Sequence, residues 1–471
     1  MDNFSELQGK IFNQFRAKDL FEEVQSIAYS YLDQIFNRHV FPEENAIQAL
    51  EELYQDLGQG MSDASDILKT LSEIGSPATS ASLGGRYFGF VTGSAMPIGI
   101  AVKTLATYWD QNAGLGIISP ICATLESVVE GWFKQIFNLP ESSCAGFVSG
   151  TSTANFCALA AARYHLLKKL DWDINEKGLN DAPKLRIITG KHAHSTVIKA
   201  ISLLGFGKEN IEWVDVDEQG RIDVVSIPEL DEKSILILQA GNVNSGAFDN
   251  FEIACKKASK TGAWTHIDGA FGLWAAASEK LKYLTRGIEF ANSWALDAHK
   301  TLNTPYDSGI VLCADEKAMV SALHMTGSYI IESDTRDGMY YTPEMSRRSR
   351  VLELWAIMKF LGKEGIDMLV YGLHERAVYF GKELNQLEGF KILNQIVFNQ
   401  IIICCETDEL TEYTLKNIQE QRVCWVGGSS WFGKKVIRIS VCSWATSVDD
   451  IDKSVGSFKN ALNKAIHDLS Q

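Results

Sequence analysis

The chain changes hydrophobic rhythm twice. Between residues 17 and 73, apolar side chains recur at helical spacing: Leu20, Val24, Ile27, Tyr31 and Ile35, then Ile47, Leu50, Tyr54 and Leu57. Steps of three and four residues place such side chains on one face, so this stretch predicts helices, punctuated by Pro42, Gly58 and Gly60. An apolar helical segment at this position fits a cap or a dimer arm. A Gly-rich aromatic stretch, RYFGFVTGSAMP from Arg86, comes next. Ser119 and Pro120 then form an N-cap and first-turn pair for a helix carrying Leu125, Val128, Val129, Trp132, Phe133 and Ile136.

From about 145 to 315, short apolar runs (AGFVS, LRIIT, IEWV, ILILQ, AWTHID, SWAL and GIVLC) alternate with helical patterns. Strands apolar on both faces, separated by helices, predict an α/β domain with a mostly parallel sheet buried between helices. Ligands in such sheets bind at the carboxyl ends of the strands. Beyond about 360, a helix, the runs FNQIIICCE and VIRISVC, and a final helix predict a smaller α+β unit. The expected organisation is a helical segment over residues 1–85, a large domain over 86–360 and a small C-terminal domain over 361–471.

Composition narrows the function classes. At 471 residues the chain exceeds one ordinary hydrophobic core, and 46% hydrophobic with 22% charged residues fits a globular protein. A net charge of −15 argues against a broad nucleic-acid footprint, which needs a basic surface. Nine cysteines without a CxxC, several inside apolar runs, read as reduced buried thiols rather than disulfides or a metal site. The start, MDNFSELQGKIFNQF, lacks the basic-then-apolar order of a signal peptide, and no run reaches the ~18 apolar residues of a membrane span. A cytoplasmic location is therefore expected.

Three strand ends carry candidate chemistry. In GFVSGTSTAN, Thr151 and Ser152 follow a strand and precede a helix, where hydroxyls and free N–H groups form a seat for phosphate; such residues also cap helices. The spacing matches neither a P-loop nor GxGxxG. In AWTHIDGAFGLW, Asp268 ends an apolar strand, where a carboxylate needs a cation or a donor. In ALDAHKTLNTPYDSG, Lys300 follows a strand beside His299, a place that can supply an amine for Schiff-base chemistry. A phosphate seat, a carboxylate for a pyridine nitrogen and a strand-end lysine are together the anchors that pyridoxal phosphate requires.

The ordered set SGTSTAN, HAHSTVIKA, HIDGAFGLW and DAHKTLNTPYDSG resembles the group II pyridoxal-phosphate-dependent amino acid decarboxylases, from RYFGFVTG near 86 to RISVCSWAT near 446. The resemblance implies the type I (aspartate aminotransferase) fold, with a mostly parallel seven-stranded sheet, an N-terminal helical segment and a small C-terminal α+β domain. It implies pyridoxal 5'-phosphate bound to Lys300 as a Schiff base. Asp268 would meet the pyridine nitrogen, Ala270 one ring face and His194 the other, with Thr151, Ser152 and His299 at the phosphate. Tyr341, then Tyr340, in ESDTRDGMYYTPEMSRRSRVLELW would be the proton donor of a mobile loop. Tyr87, Phe88 and Phe90 would line the side-chain pocket, and Arg438 in VIRISV would bind a carboxylate. The expected activity is conversion of an L-amino acid to its amine and carbon dioxide, by a homodimer with its sites at the subunit boundary. Transamination and aldehyde-forming oxidative deamination are the rival reactions, and a non-catalytic binding module ranks last. The chain departs from the family pattern at Thr151 and Thr153, where Gly and Glu are common, and at Thr301, where Trp is frequent.

Overall fold

The computed structural model describes residues 3–324 and 336–470. Its centre is a seven-stranded sheet built from β1 (Cys144–Val148), β2 (Arg186–Gly190), β3 (Ile211–Val214), β4 (Ser234–Gln239), β5 (Trp264–Asp268), β6 (Ser293–Asp297) and β7 (Gly309–Cys313). The spatial order is β1-β7-β6-β5-β4-β2-β3. Only β7 runs against its neighbours: Gly309 pairs with Val148 and Asp297, and Cys313 with Cys144 and Ser293. The carboxyl ends of β1, β5 and β6 therefore share one edge.

Both faces of this sheet are covered, as the unbroken apolar runs require. Along β4, Leu236 and Leu238 enter one core with Phe133, Phe251 and Trp274, while Ile235 and Ile237 enter the other with Leu159, Val197 and Met319. Helix Thr151–Lys169 lies within the second core and buries 11 side chains, five of them alanine. Small side chains let it sit close to the sheet, which brings its first turn against the strand ends.

A second, antiparallel sheet holds β8 (Lys391–Ile392), β9 (Gln400–Cys404), β10 (Gly427–Trp431) and β11 (Lys434–Ser440), in the order β10-β11-β9-β8. Helix Val351–Leu384 links the two regions and breaks at Gly362, whose φ of +58° suits a residue without a Cβ. The N-terminal helices Asn3–Ala17 and Asp19–Gln34 bury no side chain within the chain. The helical reading past Ile47 holds only to Leu53: Tyr54 and Leu57 are 84% and 97% exposed, so the periodic pattern meets no surface that would fix it. Ser119 precedes the helix Pro120–Phe137 as expected, but its hydroxyl goes to Gln111 (2.7 Å) and does not cap. All nine cysteines are buried and none is in a disulfide. Among the described residues no helix is long and apolar enough to cross a membrane.

Candidate active site

The three sequence anchors meet at the shared strand edge. Asp268 closes β5 and is 4% exposed; Lys300 and His299 follow β6; Thr151 opens the helix after β1. Asp297, the last residue of β6, ties them together. Its Oδ2 lies 3.2 Å from Lys300 Nζ and 3.6 Å from His299 Nε2, and its Oδ1 accepts the Thr151 N–H at 2.7 Å. A Cβ on Gly309 would collide with the Gly150 backbone, so the approach of β7 to this turn requires glycine.

His299 lies over this turn, with its Nδ1 accepting the Ser308 N–H (3.1 Å) and its ring tilted on Tyr306 at 4.4 Å. Burial pushes its pKa down, against the opposing charge of Asp297, and the neutral ring then carries its proton on Nε2. The Thr151 hydroxyl is buried with no hydrogen-bond partner among the described residues. An orphaned hydroxyl at the start of a helix fits an oxyanion ligand such as a phosphate. Ser152, next along the same turn, is exposed.

Asp268 faces the same space. Its Oδ1 accepts the Ala270 N–H (3.2 Å) and its Oδ2 the Asn155 side-chain N–H (3.4 Å). Burial raises its pKa, with the Lys300 ammonium and the Ala270 and Asn155 N–H groups acting in the opposite direction. His194 is the N-cap of helix Ser195–Leu203, and its Nδ1 accepts the Thr196 N–H. Burial holds this ring's pKa down, leaving a neutral imidazole with its Nε2–H free to point away from the cap. The helix-terminal position and the proximity to Asp268 and Lys300 are thus compatible.

Arg438, on β11, also acts electrostatically on His194. It is half-buried, burial lowers its pKa, and among the described residues its Nε has no hydrogen-bond partner and no carboxylate pairs with it.

Two expectations are corrected. Phe88 is fully buried in the core of the small sheet, edge-on to Phe380 at 5.1 Å, and lines no pocket. Tyr341 points elsewhere: its hydroxyl donates to Glu316 (2.5 Å), and its ring lies under Arg336. Glu316 follows Cys313, at the amino ends of β1 and β6, so that hydroxyl sits at the opposite edge of the sheet from Lys300. Tyr340 stacks on His324. The first four residues of the quoted loop, 332–335, lie outside the described residues. Of the other two aromatics, Tyr87 stacks with Trp425 and lies near Tyr306, whereas Phe90 is 66% exposed.

Sequence reasoning missed Asp297, Asn155, His266 and Tyr306. His266 had a signal: it stands two residues before Asp268, on the same side of β5. It is fully buried, and burial pushes its pKa down to about 3 from 6.5. Its folded value lies below its unfolded one, so stability is fully present above 6.5 and lost as the pH falls below it, at about 1.4 kcal/mol per unit. Asp249, raised to about 6 by burial, pulls in the opposite sense, so the measurement is a difference. Thermal melts of wild type and His266→Gln should diverge between pH 6.5 and 4, the wild type losing more; parallel acid profiles would contradict a neutral buried His266.

A lysine, a buried carboxylate and a helix N-terminus at the carboxyl edge of such a sheet are suited to hold a phosphorylated carbonyl cofactor. The pyridoxal-dependent decarboxylase conserved domain matches residues 63–405, and the chain belongs to that family. Its cofactor is pyridoxal 5'-phosphate. The chain is 28% identical over 314 residues to an aromatic-L-amino-acid decarboxylase of Bacillus atrophaeus, covering 63% of each chain. It is 29% identical over 273 residues to the acidic amino acid decarboxylase GADL1 of Mus musculus, covering 54% of this chain and 48% of that one. These matches span about half to two-thirds of the relatives' lengths. Among solved structures, Oryza sativa TDC with PLP and tryptamine superposes with a TM-score of 0.88 at 18% identity, over 96% of this chain and 98% of that one. Mouse CSAD gives 0.88 at 19%, over 95% and 98%.

Proposed function

We propose that the protein decarboxylates an L-amino acid to its amine and carbon dioxide, using pyridoxal 5'-phosphate held on Lys300. The observation that carries this is the convergence of Lys300, Asp268, His194 and the unpartnered Thr151 hydroxyl on one strand edge, within a chain of this family. Thr151, Ser152 and His299 would hold the phosphate, Asp268 the ring nitrogen, and His194 and Ala270 the ring faces. When bound, the cofactor's protonated ring takes up the electron pair released as a bond to Cα breaks. Lys300 presents its amine at the end of β6, with Asp297 as its counter-ion. The neutral His194 places a donor beside the site without adding a full positive charge that would hold the departing carboxylate.

The Arg438 guanidinium suits a substrate carboxylate, because a half-buried cation without an anion carries a desolvation cost that a bound carboxylate offsets. Arg438→Met should raise KM by about 30-fold or more, with a smaller change in kcat, given what breaking a buried charge pair costs. An unchanged KM would remove Arg438 from the substrate site.

The testing experiment is a product assay on the purified protein with added cofactor, screening the standard amino acids and 2,4-diaminobutyrate for carbon dioxide and amine. A keto acid or an aldehyde in place of the amine would move the protein to transamination or oxidative deamination. The exposed apolar faces of the N-terminal helices, including Phe4, Ile11 and Phe15, and Phe90 on the loop whose Gly93 lies against Lys300, support a homodimer with its sites at the boundary. Sedimentation at micromolar concentration should give the dimer mass; a monomer would overturn this assembly.

A further inference from the structure

Behind the site, five side chains form one hydrogen-bonded row: Trp264, Ser293, His266, Asn155 and Asp268. We propose that this row is a positioning device that sets the orientation and charge of the Asp268 carboxylate. This rests on the reading of Asp268 as the partner of the cofactor's ring nitrogen.

Trp264, His266 and Asp268 are alternate residues of β5 and share one face. Trp264 Nε1 lies 2.9 Å from Ser293 Oγ, Ser293 Oγ 2.9 Å from His266 Nδ1, and His266 Nε2 2.9 Å from Asn155 Oδ1. Asn155 Nδ2 then lies 3.4 Å from Asp268 Oδ2. Ser293 faces His266 across the β5–β6 pairing, and Asn155 comes from the buried helix above.

The two ends fix the direction of every bond. An indole N–H only donates, so Ser293 Oγ accepts there and is free to donate to His266 Nδ1. A carboxylate only accepts, so Asn155 turns its amide N–H to Asp268 and its oxygen to His266. The neutral His266 satisfies both demands with its proton on Nε2. All four donations therefore point toward Asp268. One carboxylate oxygen is held by this row and the other by the Ala270 N–H, so the plane of the group is set and its anionic form favoured. The row is buried throughout, and besides Asp268 it meets the site at one further point: Asn155 Nδ2 also lies 3.4 Å from Thr196 Oγ1, the hydroxyl bonded to His194 Nδ1.

The test compares holoenzymes reconstituted with cofactor carrying 15N at the ring nitrogen. Asn155→Leu and His266→Leu should weaken cofactor binding about tenfold, as expected when a buried donor is removed, and shift the ring-nitrogen signal from protonated toward unprotonated. His266→Gln, which keeps an N–H aimed at Asn155, should stay near wild type in both. Wild-type affinity and signal in the two leucine variants would overturn the proposal. If Asp268→Ala itself binds cofactor like wild type, the reading of Asp268 fails instead. Should the leucine variants not fold, the imidazole 15N spectrum of the wild type decides: a proton on Nε2 supports the row, and one on Nδ1 overturns it.

Discussion

Lys300→Ala should lower turnover by at least about 10³-fold, the scale of losing a group that both bonds to the cofactor and moves protons. The position is demanding in two ways. The Nζ lies 3.2 Å from a carboxylate that is 3% exposed, which keeps the amine at the strand edge, and the lysine side chain itself is 18% exposed, which leaves it open to a small molecule. Borohydride reduction followed by peptide mapping should place the cofactor's mass on the peptide containing Lys300 in wild type and nowhere in the variant. The substitution leaves Asp297 without its ammonium but still bonded to the Thr151 N–H, so the fold should survive with a modest fall in melting temperature. A variant retaining more than about a tenth of wild-type turnover, well short of the loss expected of such a group, would remove Lys300 from the chemistry.

The large sheet was legible because burial on both faces leaves a strong mark. The seven apolar runs became seven strands, and the helix expected to follow Thr151 and Ser152 already includes both, beginning at Thr151. In the small sheet, β9 and β11 carry the same mark, whereas β10 (GGSSW) does not: its glycines and serines face solvent on one side and are fixed by pairing with β11 rather than by composition. Candidate residues followed a similar rule. Lys300, Asp268 and His194 were visible because each follows or closes a recognisable element within an ordered set. Asp297 and Asn155 were not, since each sits one strand or one helix turn from an anchor and acquires its role only when β6 and helix Thr151–Lys169 come together. Phe88 misled because an aromatic in a Gly-rich loop suits a pocket wall and a core equally; its place in one core cluster with Phe380 and Phe458 is a property of the packing around the small sheet. Tyr341 misled for a related reason, as a loop tyrosine gives no sign in sequence of which edge of the sheet it will reach.

Asp268→Ala should weaken cofactor binding by about 30- to 1,000-fold, the range expected when one partner of a buried charge pair is removed. Two opposing terms decide the size. Burial alone raises the carboxyl's pKa and disfavours its anion, but Lys300, the Ala270 N–H and Asn155 all act the other way. A positive ring nitrogen would add the strongest of these attractions, so the carboxylate and the cofactor each stabilise the charge on the other. Asp268→Glu keeps the charge but displaces it by one methylene in a site 4% exposed, and should recover affinity only in part. The double variant Asp268→Ala/Asn155→Leu separates the two levels of the site. If Asn155 acts through Asp268, its substitution should cost little further affinity once the carboxylate is gone, giving a coupling close to the full effect of Asn155→Leu alone. Independent, additive losses would mean that Asn155 serves the helix packing and that Asp268 is oriented by its own strand and the Ala270 N–H.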